Sequence, residues 1–333
     1  MSCLYVVEHG TTISYSSNCV QVRSPEEECR DIPIETLENI SVFCRAQITS
    51  QCIMECMKRG IAVSYYSSGG KYYGRLVALE HVHVGRQRRQ AQLYHSEFAL
   101  EFGKKVLRAK IKNQQALLRR YARNKECSIE EEMKMMNIFS RKIRESISVN
   151  QMMGYEGGAA KYYFQGLGKV IDDNFRFSGR SRHPSADEVN AMLNFGYAIV
   201  MNIIYGEILK KGLNPYFGLI HSDRENHPTL ASDLMEEWRP VIVDAVVMSL
   251  TNGHEIFPEH FQHDLEEEGY FLTREGKKIF IDKLEKKERT ETKYLSYVNY
   301  PVSFRRSMEL QVSGLVHAIE EKNVDLYQPV RIR

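Results

Sequence analysis

The hydrophobic pattern changes its period near residue 85, and that change sets what the chain can build. Before it, residues 4–7, 12–15, 20–23 and 40–43 are short β-type runs divided by turn signals such as His9-Gly10 and Ser16-Ser17-Asn18. Residues 50–59 carry Ile53, Cys56 and Met57 at helical spacing, with Gly60 as a stop. Residues 61–66 and 71–77 then form two strands around the hairpin loop Ser67-Ser68-Gly69-Gly70. Gly85-Arg86-Gln87-Arg88-Arg89-Gln90 is polar, basic and without apolar periodicity, so it marks a boundary. Beyond it the apolar residues recur at three and four. With 333 residues the chain is too long for one small core. The predicted architecture is an α and β multi-domain chain. A β-strand-rich, sandwich-like domain (1–84) and a linker (85–93) precede a larger all-α-helical catalytic domain (94–333).

Charge is informative only locally. The 45 Lys and Arg against 43 Asp and Glu leave a net +2, which by itself selects no partner. Between 86 and 125, however, twelve bases face only Glu97 and Glu101. On a helix predicted over 98–121, Leu107, Ile111, Leu118 and Tyr121 form an apolar stripe, while Lys104, Arg108 and Lys112 line another face. A solvated helix face mixes both signs, whereas a one-signed stripe suits a phosphate backbone. Arg176, Arg180 and Arg182 add a second basic stretch before a helix predicted over 189–209, which Asp187 or Ser185 caps. That helix is uncharged and apolar, but its Asn and Gly residues fit one buried on all sides better than one in a membrane. Seven cysteines, an odd number without a paired zinc pattern or a secretory signal, read as small core residues of a reducing, cytoplasmic compartment. The tail from 327 to 333 is basic and reads as mobile.

Three places carry unusual chemistry. Glu156 is the only acid between Glu145 and Asp172, in a helix with Gly154, Gly157 and Gly158. Each helical glycine costs on the order of 1 kcal/mol relative to alanine, so close approach of a backbone or ligand is the expected compensation. Such an acid is either functional or paired with a base, and Lys161 is off its face. His221 ends a loop begun by Asn214-Pro215. The helix that follows Pro228 buries Leu230, Leu234, Trp238, Val241 and Ala245 as one stripe and crowds Asp233, Glu236 and Glu237 into a turn and a half. Pro240 cannot donate to the carbonyl of Glu236, so the helix must deform there. A loop histidine facing helical acids suits a divalent ion, but it equally suits a solvated acidic face beside a packed histidine.

Taken in order, these segments resemble the CRISPR-associated adaptation endonuclease family, the integrase subunit that inserts new spacers. The resemblance lies in Glu156-Gly157-Gly158-Ala159-Ala160 through Tyr163-Phe164, in Arg182-His183-Pro184 leading through Asp187 to Asn190, in Gly212-Leu213-Asn214-Pro215 through Gly218 to His221, and in Asp233-Leu234 through Glu236 to Arg239-Pro240. Ser185 stands where that family often has a second proline, and Trp238 where it often has phenylalanine. The resemblance implies Mn²⁺ or Mg²⁺ held by Glu156, His221 and Glu236, with Asp233 as their neighbour or a further ligand. It also implies a metal-dependent DNA endonuclease and integrase acting on protospacer and CRISPR-repeat duplexes. A homodimer is implied too, with a second, smaller adaptation protein bridging two such dimers into a hetero-hexamer. No membrane role is implied. A non-catalytic nucleic-acid-binding scaffold using the basic helix is the alternative. A hydrolase of small phosphoesters is a weaker one, since a small substrate has no use for an extended basic track.

Overall fold

The computed structural model describes residues 2–25, 28–76, 78, 83–181, 184–264, 268–295 and 297–332. The front part holds β1 (Ser2–Val6), β2 (Thr12–Ser16), β3 (Cys19–Arg23), β4 (Arg30–Pro33), β5 (Leu37–Val42), β6 (Gln47–Ile48), α1 (Ser50–Lys58), β7 (Ala62–Tyr66) and β8 (Tyr72–Leu76). They make two four-stranded sheets, ordered β4-β3-β2-β6 and β1-β5-β7-β8. Ile13 and Val20 from the first meet Val6, Ile40, Val42 and Val63 from the second, with Cys52 and Cys56 of α1 in the same core. The period-two alternation then turns other side chains of the second sheet toward the helices. Phe43, just after β5, stacks on Tyr66 at 4.3 Å and meets Phe195 at 5.0 Å. Ser64 accepts a hydrogen bond from Asn202 at 2.9 Å. The second sheet is therefore packed on the helical part by one face, while the core between the two sheets stays separate from the helical core.

The helical part comprises α2 (Val84–Gln92), α3 (Glu97–Lys125), α4 (Glu130–Glu145), α5 (Val149–Val170), α6 (Glu188–Lys210), α7 (Thr229–Met235), a π-helical turn (Arg239–Asp244) and α8 (Ala245–Asn252). A hairpin of β9 (Phe261–Asp264) and β10 (Gly269–Leu272), α9 (Arg274–Arg289), a second hairpin of β11 (Glu291–Thr292) and β12 (Val302–Ser303), and α10 (Phe304–Glu320) complete it. The strand-rich front and helical remainder match the predicted fold class, and the two small hairpins are additions to it. Helices α3, α4 and α5 pack together, while α6 is the central helix, wrapped by α7, the π turn, α8, α10 and β10. It is long and apolar enough to cross a membrane by composition, yet 67% of that window is buried inside the protein. Asp187 caps it by accepting from Asn190 at 2.7 Å.

Several local readings change. The polar stretch expected as a linker is the helix α2, and its Gln90 is buried. The helix after Pro228 does not bury a single stripe: every residue from Thr229 to Trp238 is buried, including Asp233, Glu236 and Glu237. Nor is the C-terminal tail loose through Ile332. Glu237 accepts from Tyr327 Oη at 2.6 Å and from Val330 N at 2.6 Å. Asn113 of α3 donates to Val330 O at 3.0 Å and accepts from Ile332 N at 2.9 Å. A buried acid thus anchors the tail, because its two oxygens are the acceptors that the tail's donors need.

Burial pushes the Glu237 carboxyl up to about 8, although Tyr327, Val330 and Gln311 oppose the shift. An acid whose folded pKa lies above its unfolded one holds a proton that the unfolded chain has released. Its share of stability is therefore present below the ordinary carboxyl value of 4.5 and is lost as pH rises toward 8. Urea unfolding across that window is expected to weaken as pH rises, and Glu237→Gln is expected to flatten the slope. An unchanged slope in the variant would contradict the assignment.

Candidate metal centre

The centre is assembled from α3, α5, the junction of α7 with the π turn, and the loop between α6 and α7. Glu156 lies in the second turn of α5, which is capped by Ser148 accepting from Gln151 N at 3.3 Å. Of the nearby glycines, Gly158 has the close approach the sequence demands: a Cβ there would stand 2.5 Å from the Phe139 ring of α4. Gly154 and Gly157 face open space instead.

Asp233 organises the His221 loop. Its Oδ2 accepts from Leu219 N at 2.6 Å and Ile220 N at 3.0 Å, and its Oδ1 accepts from His221 N at 3.0 Å. The same Oδ1 lies 2.6 Å from His221 Nδ1. A carboxylate there selects the Nδ1–H tautomer and leaves the Nε2 lone pair free. Gly218 makes the wrap possible, since a Cβ would stand 2.7 Å from Thr229 Oγ1 and 3.2 Å from Asp233 Oδ2. From the far side, Gln90 donates to Asn214 O and Phe217 O, both at 2.8 Å, and accepts from Asn214 N at 2.9 Å. Helix α2 is therefore a brace for the histidine loop.

Pro240 deforms the helix as the sequence requires. The α-helical pattern stops at Met235 and resumes as the π turn Arg239–Asp244, a widening that recurs at functional sites. Glu236 falls at this break and faces the histidine, with Oε1 at 3.9 Å from His221 Nε2. The adjacent Glu237 turns to the tail. Asp244 closes the π turn and accepts from Tyr163 Oη at 2.6 Å and Tyr197 Oη at 2.5 Å. Over the Tyr197 ring lies the Arg239 guanidinium, at 4.5 Å, and Arg239 Nε donates to Glu236 Oε1 at 3.1 Å.

Glu156 and Glu236 meet through a base. Lys110 of α3 sits with Nζ 2.5 Å from Glu156 Oε1 and 2.5 Å from Glu236 Oε2. It is buried, and although burial favours its neutral form, the two glutamates outweigh that and hold its pKa above the ordinary value. The Glu236 carboxyl is held well below its usual range: burial would raise it, but Arg239, Lys110 and His221 prevail. Among the described residues no three His, Cys, Asp or Glu side chains stand close enough to hold an ion as they are. The donor set nonetheless fits one. Two carboxylates and an imidazole nitrogen suit a hard divalent cation. Moreover, Glu236 Oε2 is buried and already faces a cation, the Lys110 ammonium at 2.5 Å.

The residues proposed for a phosphate track divide. Arg86 is engaged by Glu320, at 2.6 Å, and by the Lys211 carbonyl. Lys104 pairs with Glu101 at 2.7 Å. Arg108 and Lys112 lie near Arg331 of the tail, and Arg108 also near Arg144; burial and these like charges lower the Arg108 pKa, and Arg331 foremost lowers that of Lys112. Arg176 is exposed. Arg180 donates to Asn190 at 3.0 Å and Asn194 at 2.5 Å and lies over Tyr197 at 5.3 Å. Arg182, with His183, lies outside the described residues. Sequence reasoning missed Lys110, Arg239 and Asp244 as parts of the centre. Lys110 carried a signal, since it is three from Leu107 and falls beside the apolar stripe rather than on the basic face.

A fold of this kind around a histidine and two glutamates defines a class, and known proteins identify it. The family model for CRISPR associated protein Cas1 matches residues 4–286. The CRISPR-associated endonuclease Cas1 of Mycobacterium tuberculosis (strain CDC 1551 / Oshkosh) is 32% identical over 318 residues, covering 95% of this chain and 94% of that one. Among solved structures, a casposase bound to integration product superposes with a TM-score of 0.85 at 22% identity, over 97% of this chain and 92% of that one. A Cas6-RT-Cas1–Cas2 complex matches at 0.85 and 20% identity, over all of this chain and 36% of its own. This chain belongs to the CRISPR-associated Cas1 family.

The His221 pKa is raised above 6.5 even though burial opposes the shift, because Asp233 and Glu236 favour its charged form. Asp233→Asn removes the nearer charge while burial and Arg239 remain. In metal-free protein, an NMR titration is expected to find the His221 pKa lower in that variant than in wild type. An unshifted value would show that Asp233 does not control the ring.

Proposed function

We propose that this chain is a divalent-metal-dependent DNA endonuclease and integrase, which joins the 3′-hydroxyls of a new fragment to CRISPR-repeat DNA. The run of contacts from Glu156 through Lys110 to Glu236, with His221 Nε2 3.9 Å from the other Glu236 oxygen, supports this reading. Those three residues would hold Mn²⁺ or Mg²⁺, His221 through Nε2. When bound, the ion supplies charge neutralisation for the phosphate and leaving oxygens during attack. Asp233 fixes the ring, Arg239 steadies Glu236 against Tyr197, and Asp244 holds the two tyrosines beneath. Relatives named as endonucleases and a neighbour caught on an integration product support the activity.

Duplex DNA would lie against Arg108 and Lys112, joined by Arg144 and Arg331, whose like charges converge and of which, among the described residues, Arg144 pairs with Glu145. Arg176 and Arg180 would hold backbone phosphates near α6. Arg86 and Lys104 belong to this track only if DNA draws them from Glu320 and Glu101. We further propose a homodimer and a hetero-hexamer with a smaller adaptation protein in the cytoplasm, a reading that a complex of Cas1 with Cas2 among the neighbours supports.

The test is strand transfer into repeat DNA with Mn²⁺ and the partner protein. Glu236→Ala is expected to lose on the order of 10²-fold or more of wild-type activity, the scale of removing a group that stabilises transition-state charge. Undiminished strand transfer by a folded Glu236→Ala would overturn the proposal.

A further inference from the structure

We infer that Lys110 is a built-in competitor for the divalent ion: its ammonium holds the seat between Glu156 and Glu236 in the metal-free protein, and loading exchanges one cation for the other. This rests on the reading of Glu156, His221 and Glu236 as the metal-holding set. The position is the first ground. Nζ lies 2.5 Å from one oxygen of each glutamate, between the two carboxylates that are read as sharing the ion.

Charge is the second ground. Lys110 and Arg239 together balance Glu156 and Glu236, so the centre is already neutral in these four groups. A divalent ion added to that set leaves two positive charges in surplus at short range, where little water screens them. One base must therefore withdraw. Arg239 is fixed by its contact with Glu236 and by the Tyr197 face at 4.5 Å. Among the described residues Lys110 has no aromatic seat, and four methylenes let its ammonium swing while its backbone stays in α3. The surplus also has a second consequence: a DNA phosphate that restores the balance helps retain the ion, so free protein holds Mn²⁺ less tightly than protein with DNA.

Removing the competitor tests this. Mn²⁺ binding to DNA-free protein is measured by calorimetry and by the loss of the free-Mn²⁺ electron spin resonance signal, for wild type, Lys110→Met, and Lys110→Met with His221→Ala. Lys110→Met is expected to bind on the order of tenfold more tightly, or better, since a like charge has been removed from the seat, and the added His221→Ala is expected to weaken it again. Its melting temperature is expected to fall below that of wild type in EDTA and to gain more from Mn²⁺. Equal or weaker Mn²⁺ binding by Lys110→Met, with His221→Ala still weakening it, would overturn the competition while leaving the metal site standing. Binding by neither protein, or binding indifferent to His221→Ala, would overturn the metal site itself and the inference with it. Should Lys110→Met fail to fold, wild type alone decides. Acetic anhydride labelling of Lys110, followed by mass spectrometry, is expected to be slow in EDTA and faster with Mn²⁺, and an unchanged rate would overturn the exchange.

Discussion

A buried ammonium between two carboxylates is the contact on which the rest of the centre depends. Glu156 and Glu236 come from helices eighty residues apart in the chain, and two such acids repel when buried together. Lys110 offsets that repulsion and draws α3, α5 and the α7–π segment to one point. Breaking a buried pair by removing one partner typically costs about 3–5 kcal/mol. The contact that joins these three segments thus stands in the place the proposed chemistry assigns to the ion, and on that proposal it would have to open.

The π turn divides labour among neighbouring acids. Because Pro240 has no backbone N–H, the backbone widens just past Glu236. Asp233 is left to bind three loop amides and the histidine, Glu236 meets Lys110 and Arg239, Glu237 ties down the tail, and Asp244 receives two tyrosines. Four carboxylates within twelve residues have four different tasks, and each is set by its donors rather than by its residue type. Gln90 braces the histidine loop, and Glu237 anchors the tail.

Much of the fold was legible because period-two and period-three-to-four patterns report which face is buried. The long helices and most front strands emerged from that signal alone. Strands β4 and β6 did not, since Arg30–Pro33 is mostly exposed and Gln47–Ile48 spans only two residues. In the centre, Glu156 was visible as an isolated acid and Pro240 as a deformation. The place of Lys110 beside the apolar stripe signalled burial, but its acid partners lie 46 and 126 positions away, so nothing local names them. Residues 85–93 look like a linker for a related reason: α2 gains its place from Gln90, whose partners belong to a loop more than a hundred residues later.

The most direct measurement is an anomalous difference map from crystals grown with Mn²⁺. A single strong peak bounded by Glu156, His221 Nε2 and Glu236, with the Lys110 ammonium moved out of the gap, is the predicted result. Mn²⁺ bound elsewhere while Lys110 still joins the two glutamates would contradict it.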